Sequence, residues 1–204
     1  MQVLPKGFKH IPEFLDYSAQ RQLVDTIRDI VEIVPLYRPE MPNNGKPFSV
    51  RMTNCGSLGW VSDQHNGYRY QAHHPKTGKA WPNIPETLLN IWRETSGVDY
   101  MPEACLINFY DQSAKMGLHQ DNDEANLEAP VVSISLGDTC LFRVGQTTRG
   151  GPTKSFKLHS GDIVVLSGPS RLCFHGVDKL YPDTSPLLKN GGRINLTFRR
   201  VSAV

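Results

Sequence analysis

Hydrophobic residues recur with the period of a helix in two stretches of the first half of the chain. In residues 18–34 the apolar positions are three or four apart, which places them on one helix face, and Pro35 marks the end. A second such stretch begins at Pro85, a residue well suited to the first helical position, and stops near Gly97. The pattern predicts two amphipathic helices. The apolar residues of the first are Leu23, Ile27, Ile30, Val31 and Val34.

The segment between these helices, residues 40–84, has a different composition. Glycine, proline and asparagine are frequent in it, and these residues favour turns over long helices. Aromatic residues are interspersed among them. The composition predicts hairpins and loops that expose aromatic side chains, namely Trp60, Tyr68, Tyr70 and Trp81.

From Ala104 onward the chain consists of short runs typical of β-strands, nearly all of them separated by turn residues. Many short strands after leading helices favour an antiparallel sandwich or jelly roll. The predicted fold class is therefore α+β and mainly β, a single domain over residues 1–204 with the helices packed on one side. The predicted strands cover residues 105–110, 131–136, 140–144, 155–158, 162–166 and 193–201.

Composition and charge are those of an ordinary globular protein. The chain has 204 residues, enough to bury a self-sufficient core, and a formal net charge of +2. So small a charge does not by itself indicate nucleic-acid binding, which would need a local basic patch. The four cysteines are too far apart for a zinc knuckle, and no stretch has the pattern of a signal peptide or membrane helix. We therefore expect a cytoplasmic monomer without membrane contact and without an obligate protein partner.

The first chemical signal is the pair His119 and Asp121, separated by one residue. On an extended strand, residues i and i+2 point to the same face, so the imidazole and the carboxylate can converge on one ion. His175, predicted near the end of another short strand, can supply a second nitrogen. Two histidines and one carboxylate on one face of an ion are typical of iron(II) oxygenases. Each residue alone also has a simpler interpretation, as part of a surface turn or as a structural histidine.

A polar face along the last predicted strand strengthens this signal. Alternation places Arg193, Asn195, Thr197 and Arg199 on one face and apolar residues on the other. Two guanidinium groups that face inward are costly to bury unless each meets an anion. A small dicarboxylate is such a partner, because a guanidinium group binds a carboxylate through paired hydrogen bonds. The alternative is a solvated polar face on an edge strand.

Together with these residues, four further stretches resemble a known family: residues 52–60, 104–110, 129–137 and 160–165. The sequence resembles the AlkB family of iron(II)- and 2-oxoglutarate-dependent nucleic-acid dealkylases, close to its bacterial DNA-repair members. The resemblance covers most of residues 48–201. It implies a double-stranded β-helix, which is a form of jelly roll, with iron near one open end and a nucleotide-recognition lid over residues 40–84.

The resemblance implies that the three candidate ligands hold Fe(II) and that the chain uses 2-oxoglutarate and O2 as cosubstrates. Arg193 and Arg199 would bind the two carboxylate groups of 2-oxoglutarate. Asn108, Tyr110 and Asn195 would add hydrogen bonds. Asn108 and Tyr110 lie two residues apart on one predicted strand, so both can face the same pocket.

The resemblance also implies a site for a base that has been taken out of its stack. Trp60 and His119 would stack on the two faces of the base, and Tyr68 would support the strand backbone. Asp123 and Glu124 would read the base, whose positive charge after methylation favours a nearby carboxylate. The remaining candidates, which correspond to positions that contact the strand or base in relatives, are Lys115, Gln120 and Arg149.

The implied activity is oxidative demethylation of N-alkylated bases, of the 1-methyladenine and 3-methylcytosine type, in single-stranded DNA or RNA. The products would be formaldehyde, succinate, CO2 and the repaired base, a direct reversal of alkylation damage. Residues 42–47 depart from the family pattern, which puts strand contacts there in doubt. Two alternatives stay open: an oxygenase with the same cofactors that acts on a protein or small molecule, and a silent jelly-roll module that binds nucleic acid without oxidising it.

Overall fold

The alternating residues of the second half of the chain form two antiparallel sheets in a computed structural model, which describes residues 4–203. Two helices and a separate hairpin precede most of these strands. In chain order the elements are β1 (Phe8–Ile11), α1 (Tyr17–Ile33), β2 (Arg51–Gly56), β3 (Gly59–Asp63), β4 (Gly67–Gln71), α2 (Glu86–Thr95), β5 (Ala104–Tyr110), β6 (Met116–His119), β7 (Val131–Gly137), β8 (Thr139–Val144), β9 (Lys154–Leu158), β10 (Ile163–Leu166), β11 (His175–Tyr181) and β12 (Arg193–Arg199).

Both predicted helices are present. Helix α1 begins after Asp16, whose side chain accepts a hydrogen bond of 2.8 Å from the backbone nitrogen of Ala19. It ends at Ile33, close to Pro35. Helix α2 begins one residue later than predicted, because Pro85 has an extended backbone and caps the helix instead of forming its first turn. Neither helix among residues 4–203 is both long and apolar enough to cross a membrane.

The strands form a jelly roll of two facing sheets. The large sheet has the order β1-β10-β7-β12-β5-β2, and the small sheet has the order β6-β11-β8-β9. One apolar cluster packs the two helices against the outer face of the large sheet, and a second cluster fills part of the space between the sheets. The predicted fold class, mainly β with helices on one side, is confirmed.

Strand β12 is central in the large sheet, not an edge strand. It pairs with β5 on one side and β7 on the other along nearly its whole length. Ile194, Leu196 and Phe198 belong to the cluster that packs on the helices. The opposite face of β12 therefore points between the two sheets, as the alternation predicted.

The segment 40–84 differs from the prediction in two respects. First, β2 lies inside it and pairs with β5 as an integral strand of the large sheet, so only the β3–β4 hairpin and its flanking loops are separate from the sheets. Second, Trp60 and Trp81 are buried, with 8% and 5% of their surface exposed, whereas Tyr68 is 50% exposed. The expectation of four exposed aromatics holds only for Tyr68. It was wrong for the two tryptophans, which pack into the two apolar clusters, and for Tyr70, which is half-buried with its hydroxyl bonded to Glu124 and Arg199.

Candidate active site

Two histidines and one aspartate meet at the open end of the small sheet. His175 on β11 pairs directly with His119 on β6, and their ring centroids are 4.6 Å apart. Asp121 follows two residues after His119, with Oδ1 3.6 Å from Nε2 of His119 and Oδ2 3.6 Å from Nε2 of His175. The three ligand atoms all lie within 4.8 Å of one another, so one ion can contact all of them.

The local backbone of these residues differs from the sequence prediction. His119 is the last residue of β6, and Asp121 lies in the irregular segment after it, not on the same strand. His175 is the first residue of β11 and was predicted near the end of a strand. The convergence of the three side chains therefore comes from the pairing of β6 with β11 and from the turn after β6.

Hydrogen bonds orient both imidazole rings for metal binding. Nδ1–H of His119 donates to the carbonyl of Gly117 at 2.9 Å, and Nδ1–H of His175 donates to the carbonyl of Cys173 at 3.0 Å. A ring whose Nδ1 carries the proton presents the lone pair of Nε2. Both rings thus present Nε2 toward Asp121.

The charges around Asp121 keep it ionised. Burial alone would raise its pKa, but Arg199, His175 and His119 together hold the pKa well below its ordinary value. Nη2 of Arg199 donates to Oδ1 at 2.7 Å, while Oδ2 is buried without a hydrogen-bond partner. Burial and the neighbouring His119 lower the pKa of His175 to about 4, although Asp121 opposes this. At neutral pH the site therefore offers an ionised Asp121 and a neutral His175, the protonation states in which these groups bind metals.

Arg193 lies deeper between the sheets and has no carboxylate partner among residues 4–203. It is 1% exposed, its guanidinium lies 5.3 Å from the ring centroid of Tyr110, and Nη2 donates to Oγ of Ser135 at 3.0 Å. Its Nε and Nη1 are buried without hydrogen-bond partners. An unpaired buried guanidinium is costly, so this arrangement fits an anion supplied by a ligand.

Further polar groups line the same cavity between Arg193 and the metal candidates. Asn108 on β5 and Asn195 on β12 stand opposite each other, and Oδ1 of Asn108 is buried without a partner. Burial raises the pKa of Tyr110 to about 12, despite the opposing effect of Arg193, so its hydroxyl stays a donor. Together with Arg199 these side chains form a cavity whose free donors suit a small dicarboxylate beside a metal ion.

The mouth of the cavity is lined by aromatic residues of the hairpin. Trp60 stacks on Tyr68, with centroids 5.5 Å apart and planes inclined by 25°, and its Nε1 donates to Oδ2 of Asp123 at 2.7 Å. The side chain of Asn54 on β2 holds the backbone of Trp60 through two hydrogen bonds of 3.0 Å. Trp60, Tyr68 and Asp123 thus line the same cavity as His119.

Glu124 is placed differently from its predicted role as a base-reading residue. Its side chain is completely buried and does not line the cavity. One oxygen pairs with Nη2 of Arg171 at 3.0 Å, and the other accepts a hydrogen bond from the hydroxyl of Tyr70 and lies 3.4 Å from Nε of Arg199. Glu124 therefore joins a buried network, which corrects the expectation of a direct contact with a base.

Tyr70 and Arg171 in this network were not predicted as site residues. The hydroxyl of Tyr70 also accepts a hydrogen bond of 3.1 Å from Nη1 of Arg199. Arg171 is 3% exposed and donates to the carbonyls of Asp121, at 2.5 Å, and Ala129, at 2.6 Å. The network thus ties the hairpin to the aspartate of the metal site, and no local sequence signal marks either residue for this role.

The other three substrate candidates occupy different surroundings. Gln120 lines the cavity, but its amide nitrogen donates to the carbonyls of Thr147, at 3.2 Å, and Leu172, at 2.6 Å. Lys115 is exposed and does not line the cavity. Arg149 lies in the loop between β8 and β9, beside a second cleft, with its guanidinium 5.1 Å from the ring centroid of Phe174. Lys115 and Arg149 can contact only parts of a ligand that extend beyond the cavity.

Replacement of the neighbouring acids Asp123 and Glu124 by alanine should lower the free energy of unfolding by different amounts. We expect Glu124→Ala to lower the free energy of unfolding by about 3–5 kcal/mol, because Arg171 would be left buried without its carboxylate. Asp123 is exposed and accepts one hydrogen bond, from Nε1 of Trp60, so Asp123→Ala should cost only about 1 kcal/mol. Urea unfolding of both variants measures this difference, and equal losses would show that Glu124 has no special structural role.

Comparison with known proteins places the chain among the 2-oxoglutarate- and iron(II)-dependent oxygenases. A family model described as the 2OG-Fe(II) oxygenase superfamily matches residues 7–199. The alpha-ketoglutarate-dependent dioxygenase AlkB homolog of Caulobacter vibrioides is 50% identical over 202 residues, which are 98% of this chain and 90% of that protein. The Arabidopsis thaliana protein named DNA N(6)-methyladenine demethylase ALKBH1D is 39% identical over 228 residues, 97% of this chain and 50% of that protein. The structure of OsALKBH1 matches with a TM-score of 0.78 and 31% identity, and covers 98% of this chain and 100% of that chain.

Proposed function

This chain belongs to the AlkB family within the 2OG-Fe(II) oxygenases and is a 2-oxoglutarate-dependent dioxygenase, and on that premise we propose that it demethylates damaged nucleic-acid bases. The proposed substrates are N-alkylated bases of the 1-methyladenine and 3-methylcytosine type in single-stranded DNA or RNA. In the overall reaction, 2-oxoglutarate, O2 and the N-methylated base give succinate, CO2, formaldehyde and the unmodified base, a direct reversal of alkylation damage.

Iron(II), 2-oxoglutarate and O2, when bound, supply the oxidising chemistry, and the protein supplies binding and orientation. We assign the metal to His119, Asp121 and His175, because their free Nε2 and carboxylate oxygens converge. The unpartnered nitrogens of Arg193 support its assignment to one carboxylate of 2-oxoglutarate. Arg199, beside Asp121, would bind the carboxylate nearer the metal.

Three cavity residues would add hydrogen bonds to 2-oxoglutarate. Asn108 would donate through Nδ2, whose bond to Oδ1 of Asn195 is long at 3.4 Å, and Tyr110 keeps its proton because burial raises its pKa. Asn195 stands opposite Asn108, and its Nδ2 donates to Oγ of Ser133 at 2.6 Å. These groups would orient the cosubstrate within a cavity whose walls are otherwise largely apolar and exclude water.

The aromatic mouth supports a flipped base as the substrate. Trp60 and His119 line one cavity and would take the two faces of the base, and stacking on an aromatic ring is worth about 1–3 kcal/mol per base. Methylation at N1 of adenine or N3 of cytosine gives the base a positive charge, which Asp123 would favour through its carboxylate. Exposed Tyr68 would support the strand backbone beside the base, and Gln120 lies at the same mouth.

The observation that carries the proposal is the shared cavity. The stacked pair of Trp60 and Tyr68, with the carboxylate of Asp123, opens onto the same space as the metal candidates. An aromatic surface next to an acid suits a flat cation better than a flexible peptide or a small aliphatic molecule. This is the reason we prefer a modified base over the two alternative substrates.

The test is a substrate panel with the purified protein, iron(II), 2-oxoglutarate and O2. Oligonucleotides that carry one 1-methyladenine or 3-methylcytosine are compared with unmodified strands, a methylated peptide and small N-methyl amines. We expect formaldehyde and a mass loss of one methylene unit only with the methylated strands. Formaldehyde from the peptide or amines alone would contradict the proposed substrate, and succinate formation with no substrate oxidised would contradict a role in repair.

Removal of the Trp60 ring should weaken binding of the methylated base and leave binding of 2-oxoglutarate nearly unchanged. We expect Trp60→Ala to weaken binding of a methylated strand by about 5- to 150-fold, because a base loses one stacking partner. Binding of 2-oxoglutarate should change by less than about twofold, since Arg193 is held by Ser135 and Tyr110, whereas Trp60 bonds to Asp123 and stacks on Tyr68. Fluorescence anisotropy and calorimetry measure the two affinities separately, and an equal loss in both would contradict this division of roles.

The silent-module alternative differs in the metal site. Such a protein would bind the strands and keep binding them after the metal ligands are removed, but it would form no succinate.

We further propose that the enzyme acts as a monomer in the cytoplasm. In support of a reducing compartment, the four cysteines are buried and free.

A further inference from the structure

The outer face of the small sheet carries basic side chains that the proposed site does not use. On β8, Cys140, Phe142 and Val144 point inward to the core between the sheets, so Leu141 points outward. Lys157 on β9 and Lys179 on β11 both stand opposite Leu141, one on each side. Three adjacent strands thus bring two exposed lysines to one outward face.

Both lysines converge on one aromatic ring. Nζ of Lys157 lies 4.7 Å and Nζ of Lys179 lies 4.8 Å from the ring centroid of Tyr181. We call Lys157, Lys179 and Tyr181 the outer patch. Over residues 4–203, no carboxylate oxygen lies within 4.0 Å of either ammonium group, and the nearby carboxylate of Asp178 is already bound by Arg143 at 2.7 Å. The outer patch is therefore a pair of like charges without a counterion from the chain.

One end of the small sheet links the cavity mouth to β9, the edge strand that carries Lys157. His119, His175, Val144 and Lys154 form one row across its four strands. At about 4.8 Å between strands, the row from His119 to Lys154 spans about 14 Å, the length of about four nucleotides at 3.4 Å each. Lys154 is exposed and lies three residues before Lys157 on the edge strand β9, about 10 Å along it. By alternation its side chain leaves the same face as Phe156 and Leu158, opposite to that of Lys157.

The loop between β8 and β9 lies beside the His119 end of this row. Its residue Thr147 accepts a hydrogen bond from Gln120, which is next to His119. The same loop carries Arg149, which lines the second cleft together with Leu118. A strand that leaves the mouth across this loop would pass Arg149 and then turn around the edge strand β9 onto the outer face, where it would reach the outer patch.

We propose that the outer patch binds backbone phosphates of the substrate strand several nucleotides away from the base in the cavity. The proposal rests on the proposed function, because it requires a nucleic-acid substrate. Two unpaired ammonium groups, held close together against one ring, complement a chain of phosphates. Continuity with the cavity mouth favours a nucleic-acid strand over an acidic protein as the occupant.

The test compares three charge reversals of equal size. Lys157→Glu and Lys179→Glu alter the outer patch, and Lys189→Glu is the matched control, since Lys189 is an equally exposed lysine in the loop before β12. The probes are a 15-nucleotide single strand with one central 1-methyladenine and a trinucleotide with the same base. Binding to the manganese- and 2-oxoglutarate-loaded protein is measured by anisotropy between 50 and 200 mM salt, and turnover is measured with iron.

We expect each patch variant to bind the 15-nucleotide strand about 5- to 20-fold more weakly than the control variant. The slope of log affinity against log salt should become shallower by about 0.7 for each phosphate contact that is lost. Turnover of the trinucleotide should be unchanged in all three variants, because it is too short to reach the outer patch. Equal affinities and slopes for the patch and control variants would overturn the proposal.

The two possible failures are distinguishable. If the unaltered protein releases no formaldehyde from either methylated probe, the proposed function is contradicted whatever the binding data show. If it demethylates both probes but the patch variants bind the long strand like the control, only the assignment of the outer patch is contradicted. Greater losses for the trinucleotide than for the long strand would also overturn it, since they would indicate a defect in the cavity.

Discussion

Asp121→Asn is expected to lower metal affinity and turnover by about 100-fold or more. Loss of a residue that only supports a metal ligand already costs about 10- to 100-fold, and here a ligand itself loses its charge. The carboxylate of Asp121 also stands between the two imidazoles: Oδ1 lies 3.6 Å from Nε2 of His119, and Oδ2 lies 3.6 Å from Nε2 of His175. Without its charge, two neutral rings have no anion with which to hold a divalent ion.

The matched control for this variant is Asp123→Asn, two residues along the chain. Asp123 bonds to Trp60 and lies outside the metal group, so its loss should leave the affinity for manganese unchanged while it weakens binding of a methylated strand. Metal affinity is measured by calorimetry and by the electron spin resonance signal of free manganese. Unchanged metal affinity in Asp121→Asn would contradict the assigned metal site.

Arg193→Met is expected to abolish 2-oxoglutarate binding while it preserves or raises the stability of the ligand-free protein. Arg193 offers two unpartnered nitrogens to the cosubstrate, and hydrogen bonds to charged groups are worth about 1.5–3 kcal/mol each, which predicts a loss of about 100-fold or more. In the absence of 2-oxoglutarate the same guanidinium is buried without a counterion. Replacement by an apolar side chain of similar length removes that cost.

Arg171→Met is the matched control, because Arg171 is as deeply buried but fully partnered. Its guanidinium bonds to Glu124, to the carbonyl of Asp121 and to the carbonyl of Ala129, so its removal should cost about 3–5 kcal/mol of stability. Thermal unfolding with and without 2-oxoglutarate and manganese measures both quantities. A large loss of stability in ligand-free Arg193→Met would mean that Arg193 is a structural residue like Arg171.

The features of the site that the sequence predicted are those set by short-range geometry. Alternation along β12 put its arginines on one face, and strand pairing then buried that face between two sheets. The antiparallel arrangement after Ala104 was predictable because short runs separated by turns leave few alternatives to it. The order of the strands was not predicted, and the ranges of β6 and β11 were not among the predicted strands. The family resemblance indicated which residues that are distant in the chain act together at the site.

The features that were missed depend on contacts between distant elements. Glu124 and Asp123 are adjacent in sequence, and nothing local reveals that one is buried on Arg171 while the other faces the cavity mouth. The burial of Trp60 depends on where the β3–β4 hairpin packs, and the hairpin itself carries the composition of an exposed loop. Tyr70 was predicted only as an exposed aromatic, because its partners Glu124 and Arg199 come from elements far along the chain.

The central position of β12 has a consequence for the evolution of the enzyme. Because hydrogen bonds fix this strand on both edges, insertion or deletion of one residue within it would exchange the side chains of its two faces. The guanidinium groups would then enter the packing beneath the helices, and Ile194, Leu196 and Phe198 would occupy the cosubstrate cavity. Folding and cosubstrate binding would fail in a single step, so length changes in this protein should be confined to its loops, while β12 can vary only by substitution.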